Sequence, residues 1–153
     1  KIILVVPEGR EKEAVTRLAR VGYDNAQGYL KGGIEAWKDA GYQLETIEDI
    51  SAQEFVDGLE KGAIKYATDV RKPGEFKNAH LENVHHFPLS NIHQDLDKYD
   101  AEKTFSIHCA GGYRSVIYAS ILKANGIKNL QNVLGGFGAI KKAELSQINI
   151  IKE

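Results

Sequence analysis

The stretch His108-Cys109-Ala110-Gly111-Gly112-Tyr113-Arg114-Ser115 holds the only cysteine of the 153-residue chain and sits where an apolar run gives way to a helical pattern. Lys103 to His108 reads as a short buried strand with Phe105 and Ile107 inward. Val116 to Ala124 then carries Val116, Ile117, Ala119 and Leu122 at helical spacing. A strand-loop-helix turn aims successive backbone N–H groups, and the positive end of a helix, at whatever lies over the loop. Free cysteine titrates at about 8.5, and such surroundings lower that by one to several units. The loop is therefore expected to hold a thiolate.

Outward from this loop, strands and helices alternate. Ser51-Ala52-Gln53-Glu54 is a capping box that opens a helix with Phe55, Val56 and Leu59 inward. Ala63 to Val70 reads as a strand, Arg71-Lys72-Pro73-Gly74 as turn chemistry, and Val84 to Leu89 as a brief strand, with Ser90 capping a short helix through Leu96. Beyond the cysteine loop and its helix come a strand, Leu130 to Leu134, the pair Gly135-Gly136, and a last helix from Phe137 to about Leu145. This alternation implies parallel βαβ units in a sheet covered on both faces, an α/β fold.

The first 44 residues repeat part of this pattern. Lys1 to Val6 reads as a strand, Glu11 to Arg20 as a helix, Ala26 to Leu30 as a strand and Ile34 to Ala40 as a helix. Gly22-Tyr23-Asp24-Asn25-Ala26-Gln27-Gly28-Tyr29-Leu30 lines up with Gly126-Ile127-Lys128-Asn129-Leu130-Gln131-Asn132-Val133-Leu134, and each is followed by a Gly-Gly pair and a helix. Residues 1–44 thus repeat only the second half of the unit that spans 45–153, with the boundary inside a mixed-polarity connector, Gln43 to Ile50. In the first copy Pro7 takes the cysteine's position and the loop is two residues shorter. Proline offers neither a nucleophile nor an N–H, so thiolate chemistry belongs to the second copy. The chain opens on Lys1 rather than Met and is expected to be a piece of a longer protein.

Composition narrows the partners. An apolar fraction of 42% supports a packed core, and a net charge of −1 argues against nucleic acid or an anionic membrane surface. One cysteine excludes an internal disulfide framework and fits a reducing compartment, so the cytoplasm is expected. The opening apolar run is too short for a signal segment or a membrane span. The histidines, His80, His85, His86, His93 and His108, form no metal-ligand spacing, and no metal site is expected.

Three separated motifs resemble the rhodanese family: Asp69-Val70-Arg71 followed by Glu75-Phe76 and His80-Leu81, the loop from Cys109 to Ser115, and Gly135-Gly136-Phe137. In the first copy Gly32-Gly33-Ile34-Glu35-Ala36-Trp37 matches the last of these more fully. Ala79-His80 replaces the usual Gly-His, and Ile140 stands where the first copy has Trp37. The resemblance implies a three-layer α/β/α unit with a five-stranded parallel sheet over residues 45–153, preceded by half of a degenerate unit. A degenerate unit ahead of an intact one is similar to the tail of bacterial fusions that join a metallo-β-lactamase-fold persulfide dioxygenase to two rhodanese units. No cofactor is implied for this fragment itself.

Under this resemblance Cys109 is the nucleophile. It takes a sulfur atom from thiosulfate or a glutathione-type persulfide, carries it as a persulfide, and yields it to a thiol acceptor. Gly111 and Gly112 let the backbone curl around the sulfur, with Ala110 and Tyr113 completing the loop. Arg114 closes the loop, where it binds an anionic donor and helps lower the Cys109 pKa, pairs with Asp69, or does both, and Ser115 caps the following helix. Arg71 is a donor-binding residue in the family and a solvated loop charge otherwise. Only four residues separate Cys109 from Arg114, whereas the related phosphatases and arsenate reductases use five. The shorter loop suits a sulfur atom better than a tetrahedral oxyanion. Three alternatives stand beside sulfur transfer: a non-catalytic persulfide sensor or docking module, a phosphatase or arsenate reductase, and a scaffold for dimerisation or for placing a further domain.

Overall fold

The structure is a computed structural model that describes residues 1–152. It divides into two compact units, Lys1–Thr46 and the remainder from Ile47. The first contains β1 (Ile2–Leu4), α1 (Glu11–Ala19), β2 (Ala26–Tyr29) and α2 (Gly33–Asp39), with β1 and β2 paired in parallel. Leu4 is its only buried large apolar side chain among the described residues, while Ile3, Val21, Tyr23 and Tyr29 are more than half exposed. Its Gly-Gly turn places Gly32 and Gly33 at φ +77° and +59°, close to the +70° and +53° of Gly135 and Gly136.

The second unit begins with β3 (Glu48–Ile50), α3 (Ala52–Glu60), β4 (Ala67–Asp69), α4 (Pro73–Asn78), β5 (His80–Leu81) and β6 (His85–His86). It continues through a 3-10 turn at Leu89–Asn91, α5 (Ile92–Asp95), β7 (Phe105–His108), α6 (Tyr113–Ala124), β8 (Leu130–Val133), α7 (Gly136–Ile140) and β9 (Ile150–Ile151). Five strands form a parallel sheet in the order β3-β8-β7-β4-β6. The α/β fold is the one expected from the alternating pattern, and the five-stranded parallel sheet is the one implied by the family resemblance.

Strand periodicity sends alternate side chains of β7 to opposite layers. Phe105 and Ile107 join Tyr118, Ala119 and Leu122 of α6, with Ile92, Tyr99 and Leu130, in one apolar core. On the other face Phe55 and Val56 of α3 pack with Phe137 and Ile140 of α7, Leu81 and Val133. The capping box forms as expected: Glu54 N–H donates to Ser51 Oγ at 3.1 Å, and Ser51 N–H donates to Glu54 Oε2 at 2.8 Å.

Several boundaries differ from the sequence reading. The connector from Gln43 to Ile50 contains an edge strand, β3, whose acidic residues mask its strand character. Gln131 Nε2 donates to Glu48 Oε2 at 3.2 Å and Asn132 Nδ2 to Asp49 Oδ1 at 2.7 Å, so cross-strand amides hold the carboxylates in place. Lys103 lies outside β7 in a turn where its N–H donates to Asp100 O. The cysteine-loop helix starts at Tyr113 rather than Val116, and the last helix ends at Ile140. Ser90 lies within the 3-10 turn and hydrogen-bonds Asn91 Oδ1 instead of capping a helix. The antiparallel pair β5–β9 had no signal in the periodicity.

Gly136 is the backbone position that brings the last βα turn against the cysteine loop. A Cβ there would overlap the carbonyl oxygen of Cys109. Gly136→Ala is therefore expected to cost about 3 kcal/mol or more, combining left-handed strain with a backbone clash. Gly126→Ala, also at positive φ but with open space around it, is expected to cost about 1 kcal/mol. Urea denaturation of the two variants checks the difference, and equal losses would contradict it.

Candidate active site

β4, β7 and β8 end side by side, and parallel strands gather their C-terminal loops at one edge of the sheet. Asp69, last in β4, is in register with His108, last in β7. The chain beyond β7 curls through Cys109 to Gly112, whose φ of +102° lets it turn into α6. The turn before α7 braces this loop from behind: Phe137 N–H donates to Cys109 O at 2.7 Å and Gly138 N–H to Ala110 O at 3.0 Å.

The Cys109 side chain is buried, and its sulfur faces the concave side of the loop. Gly112 N–H donates to Cys109 Sγ at 3.2 Å, and Ser115 Oγ lies 3.5 Å from it. Burial alone pushes the thiol up, but the Ser115 hydroxyl and the N–H groups of Ser115, Gly111 and Gly112 outweigh it, and the net shift is downward. Ser115 does not cap α6. Its hydroxyl lies 2.6 Å from Asn132 Oδ1 and 2.9 Å from Gly112 O as well as near the sulfur, so three acceptors compete for its single proton. The backbone N–H groups are the fixed part of the cradle.

The two arginines are placed differently from the sequence reading. Arg114 pairs with Glu75, not Asp69, through two parallel hydrogen bonds of 2.6 and 2.8 Å. Asp69 is fully buried and belongs to Arg71, which reaches it through Nε at 2.9 and 3.0 Å and through its own N–H at 2.9 Å. Arg71 also donates to Ala79 O at 2.8 Å and lies 3.8 Å above the Phe137 ring. Its side chain is 5% exposed, so it is not a solvated loop charge; it lines a groove beside Ala110 with its charge already paired. Asp69, at the end of a core strand, draws the nearest guanidinium inward, and Arg114 takes the next carboxylate.

The chain resembles known proteins over this second unit. Residues 51–143 match the rhodanese-like domain model. The chain belongs to the rhodanese-like domain family. YqhL of Bacillus subtilis is 30% identical over 96 residues, which cover 63% of this chain and 74% of that protein. The thiosulfate sulfurtransferase GlpE of Coxiella burnetii is 29% identical over 69 residues, covering 45% of this chain and 64% of GlpE. The crystal structure of a rhodanese-like domain protein from Staphylococcus aureus superposes with a TM-score of 0.60 at 26% identity, covering 69% of this chain and all of that one.

Within this rhodanese-like unit the remaining loop residues line the approach to the sulfur. Ala110 and Gly111 are exposed, and Tyr113 is 80% exposed on the rim. His80, His86 and His108 are occupied in packing. His80 and His86 stack on opposite sides of Phe76 at 3.9 and 4.1 Å, and His86 Nε2 lies 2.9 Å from Arg71 O. His108 is fully buried between the rings of Phe55 and Phe137, and burial pushes its pKa down, which keeps it neutral at pH 7. Sequence reasoning assigned no role to Glu75 or Asn132. Glu75 was nonetheless visible as an acid following the turn at Arg71–Gly74, where it also accepts from Lys72 N–H at 3.1 Å.

Because backbone groups form most of the cradle, Ser115→Ala is expected to slow alkylation of Cys109 at neutral pH by less than about tenfold, a shift of under one pKa unit. A pH series of iodoacetamide inactivation measures this. Loss of all reactivity in the folded variant would assign the thiolate to the hydroxyl instead.

Proposed function

We propose that the second unit is a sulfurtransferase that moves a sulfane sulfur through a persulfide on Cys109. The observation that carries this reading is a buried cysteine sulfur facing the N–H groups of Gly111, Gly112 and Ser115 in a loop with four residues before Arg114. The Cys109 thiolate attacks the outer sulfur of a donor, R–S–SH or thiosulfate. The donor's S–S bond breaks, and its electron pair leaves on R–S⁻ or on sulfite. The transferred sulfur stays bonded to Cys109, where the N–H cradle stabilises its negative charge as it stabilised the thiolate's. An acceptor thiolate then attacks that outer sulfur, forms its own persulfide, and returns Cys109 as thiolate. The loop's size supports this over phosphate chemistry, and GlpE's activity is consistent with it. A thiolate carrier belongs in a reducing compartment, the cytoplasm.

The test is intact mass after incubation with thiosulfate or glutathione persulfide, followed by a thiol acceptor. A gain of one sulfur at Cys109, lost on adding acceptor and absent in Cys109→Ser, is expected. No gain with either donor overturns the transferase reading. Aryl phosphate hydrolysis that disappears in Cys109→Ser would establish the phosphatase alternative in its place.

We further propose that residues 1–44 are the second half of a degenerate unit of the same kind. The matching left-handed Gly-Gly turns, the parallel β1–β2 pair and the exposed apolar residues Ile3, Val21 and Tyr29 support that assignment. The chain by itself is expected to self-associate in sedimentation or to bind an apolar dye. A monodisperse monomer that binds no dye would contradict the assignment.

A further inference from the structure

Both arginines nearest the sulfur are held by carboxylates. Arg71 is neutralised in the core by Asp69, and Arg114 is neutralised at the loop by Glu75 in a two-pronged pair. The Arg114 guanidinium is close enough to the Cys109 sulfur to interact with it, second to its bond with Glu75. Glu75 stays ionised throughout the physiological range, since the Arg114 hydrogen bonds pull it down to about 2 despite partial burial. The two pairs contribute no net charge beside the thiolate, so the only excess charge among these five groups is the negative sulfur itself.

That balance bears on the donor. Thiosulfate is a small dianion that brings both charges next to the thiolate it must react with. An organic persulfide brings at most one charge to its reacting end. A groove of about 260 Å³ adjoins the loop at Ala110, where Ala79, Phe137 and Gly138 line it together with Asn78, Lys141 and the paired groups Arg71 and Glu75. Apolar atoms beside an amide, an ammonium and an already paired guanidinium suit the body of an organic donor bearing a carboxylate.

We propose that Glu75 is the specificity-determining residue of this site, and that by holding Arg114 it selects organic persulfides over thiosulfate. The inference rests on the sulfurtransferase reading above and names its donor class. Glu75 acts through Arg114, so it is a positioning residue rather than a catalytic one. Glu75→Gln keeps an oxygen for the Arg114 guanidinium but removes the charge, leaving Arg114 as an uncompensated cation next to the sulfur.

The experiment compares rates of Cys109 persulfuration by glutathione persulfide and by thiosulfate, read by mass, in the wild-type chain, Glu75→Gln, and the double variant Glu75→Gln/Arg114→Gln. Circular dichroism checks that each variant is folded. The wild-type chain is expected to load faster from the persulfide. Glu75→Gln is expected to raise the thiosulfate rate about tenfold, the scale of one unscreened charge at this half-buried position. The persulfide rate should change far less. The double variant restores the charge balance and should bring the thiosulfate rate back down. A wild-type preference for thiosulfate, or a folded Glu75→Gln with an unchanged donor ratio, overturns the role of Glu75 while leaving sulfur transfer standing. Loading from neither donor overturns both.

Discussion

The site depends on one constraint: the cysteine loop must curl tightly enough for its own N–H groups to converge on Cys109 Sγ while its carbonyls turn away. The carbonyls of Cys109 and Ala110 are taken up by Phe137 N–H and Gly138 N–H. Those donors are available because the first N–H groups of a helix have no partner within it. α7 can approach so closely only because Gly136 has no side chain and adopts positive φ. The two glycine turns, Gly111-Gly112 and Gly135-Gly136, are therefore parts of one device. The first wraps the sulfur, and the second holds the wrap shut.

Electrostatics then follows from where the strands end. Asp69 closes a fully buried strand, and a carboxylate there is tolerable only with a hydrogen-bonded cation. Arg71, two residues on, supplies that cation and is removed from solvent in doing so. Arg114 is left facing Glu75, which lies on α4 at the rim and is itself partly exposed. Each cation beside the sulfur thus has its own carboxylate. A donor approaching the loop meets backbone dipoles and paired arginines, with the Lys141 ammonium lining the adjoining groove.

Much of this was legible in the sequence because local rules agree with the global fold. The capping box at Ser51 and Glu54, the alternation of Phe105 and Ile107 along β7, and the Gly-Gly pairs each signal one outcome, and each forms. The cysteine loop was readable for the same reason: a strand, two glycines and a helical pattern constrain one another within a dozen residues. β3 was hidden because Glu48 and Asp49 look like loop residues until Gln131 and Asn132, some 83 positions away, supply their partners. The pairing of two arginines with two acids was equally out of reach. Spacing shows which charges exist, whereas burial decides that Asp69 takes Arg71 and leaves Glu75 to Arg114. Ser115 was misread as a cap because its hydroxyl faces Asn132, which is adjacent only once β8 lies beside β7.

The cradle's purpose is to hold Cys109 as a thiolate, and a direct ultraviolet titration of thiolate absorbance tests that. The difference spectrum between the chain and its Cys109→Ser variant isolates the single thiol from the tyrosines. Ionisation with a midpoint clearly below the value of about 8.5 for free cysteine is expected. A midpoint at or above that value would mean that burial outweighs the N–H groups and that the loop does not hold a thiolate.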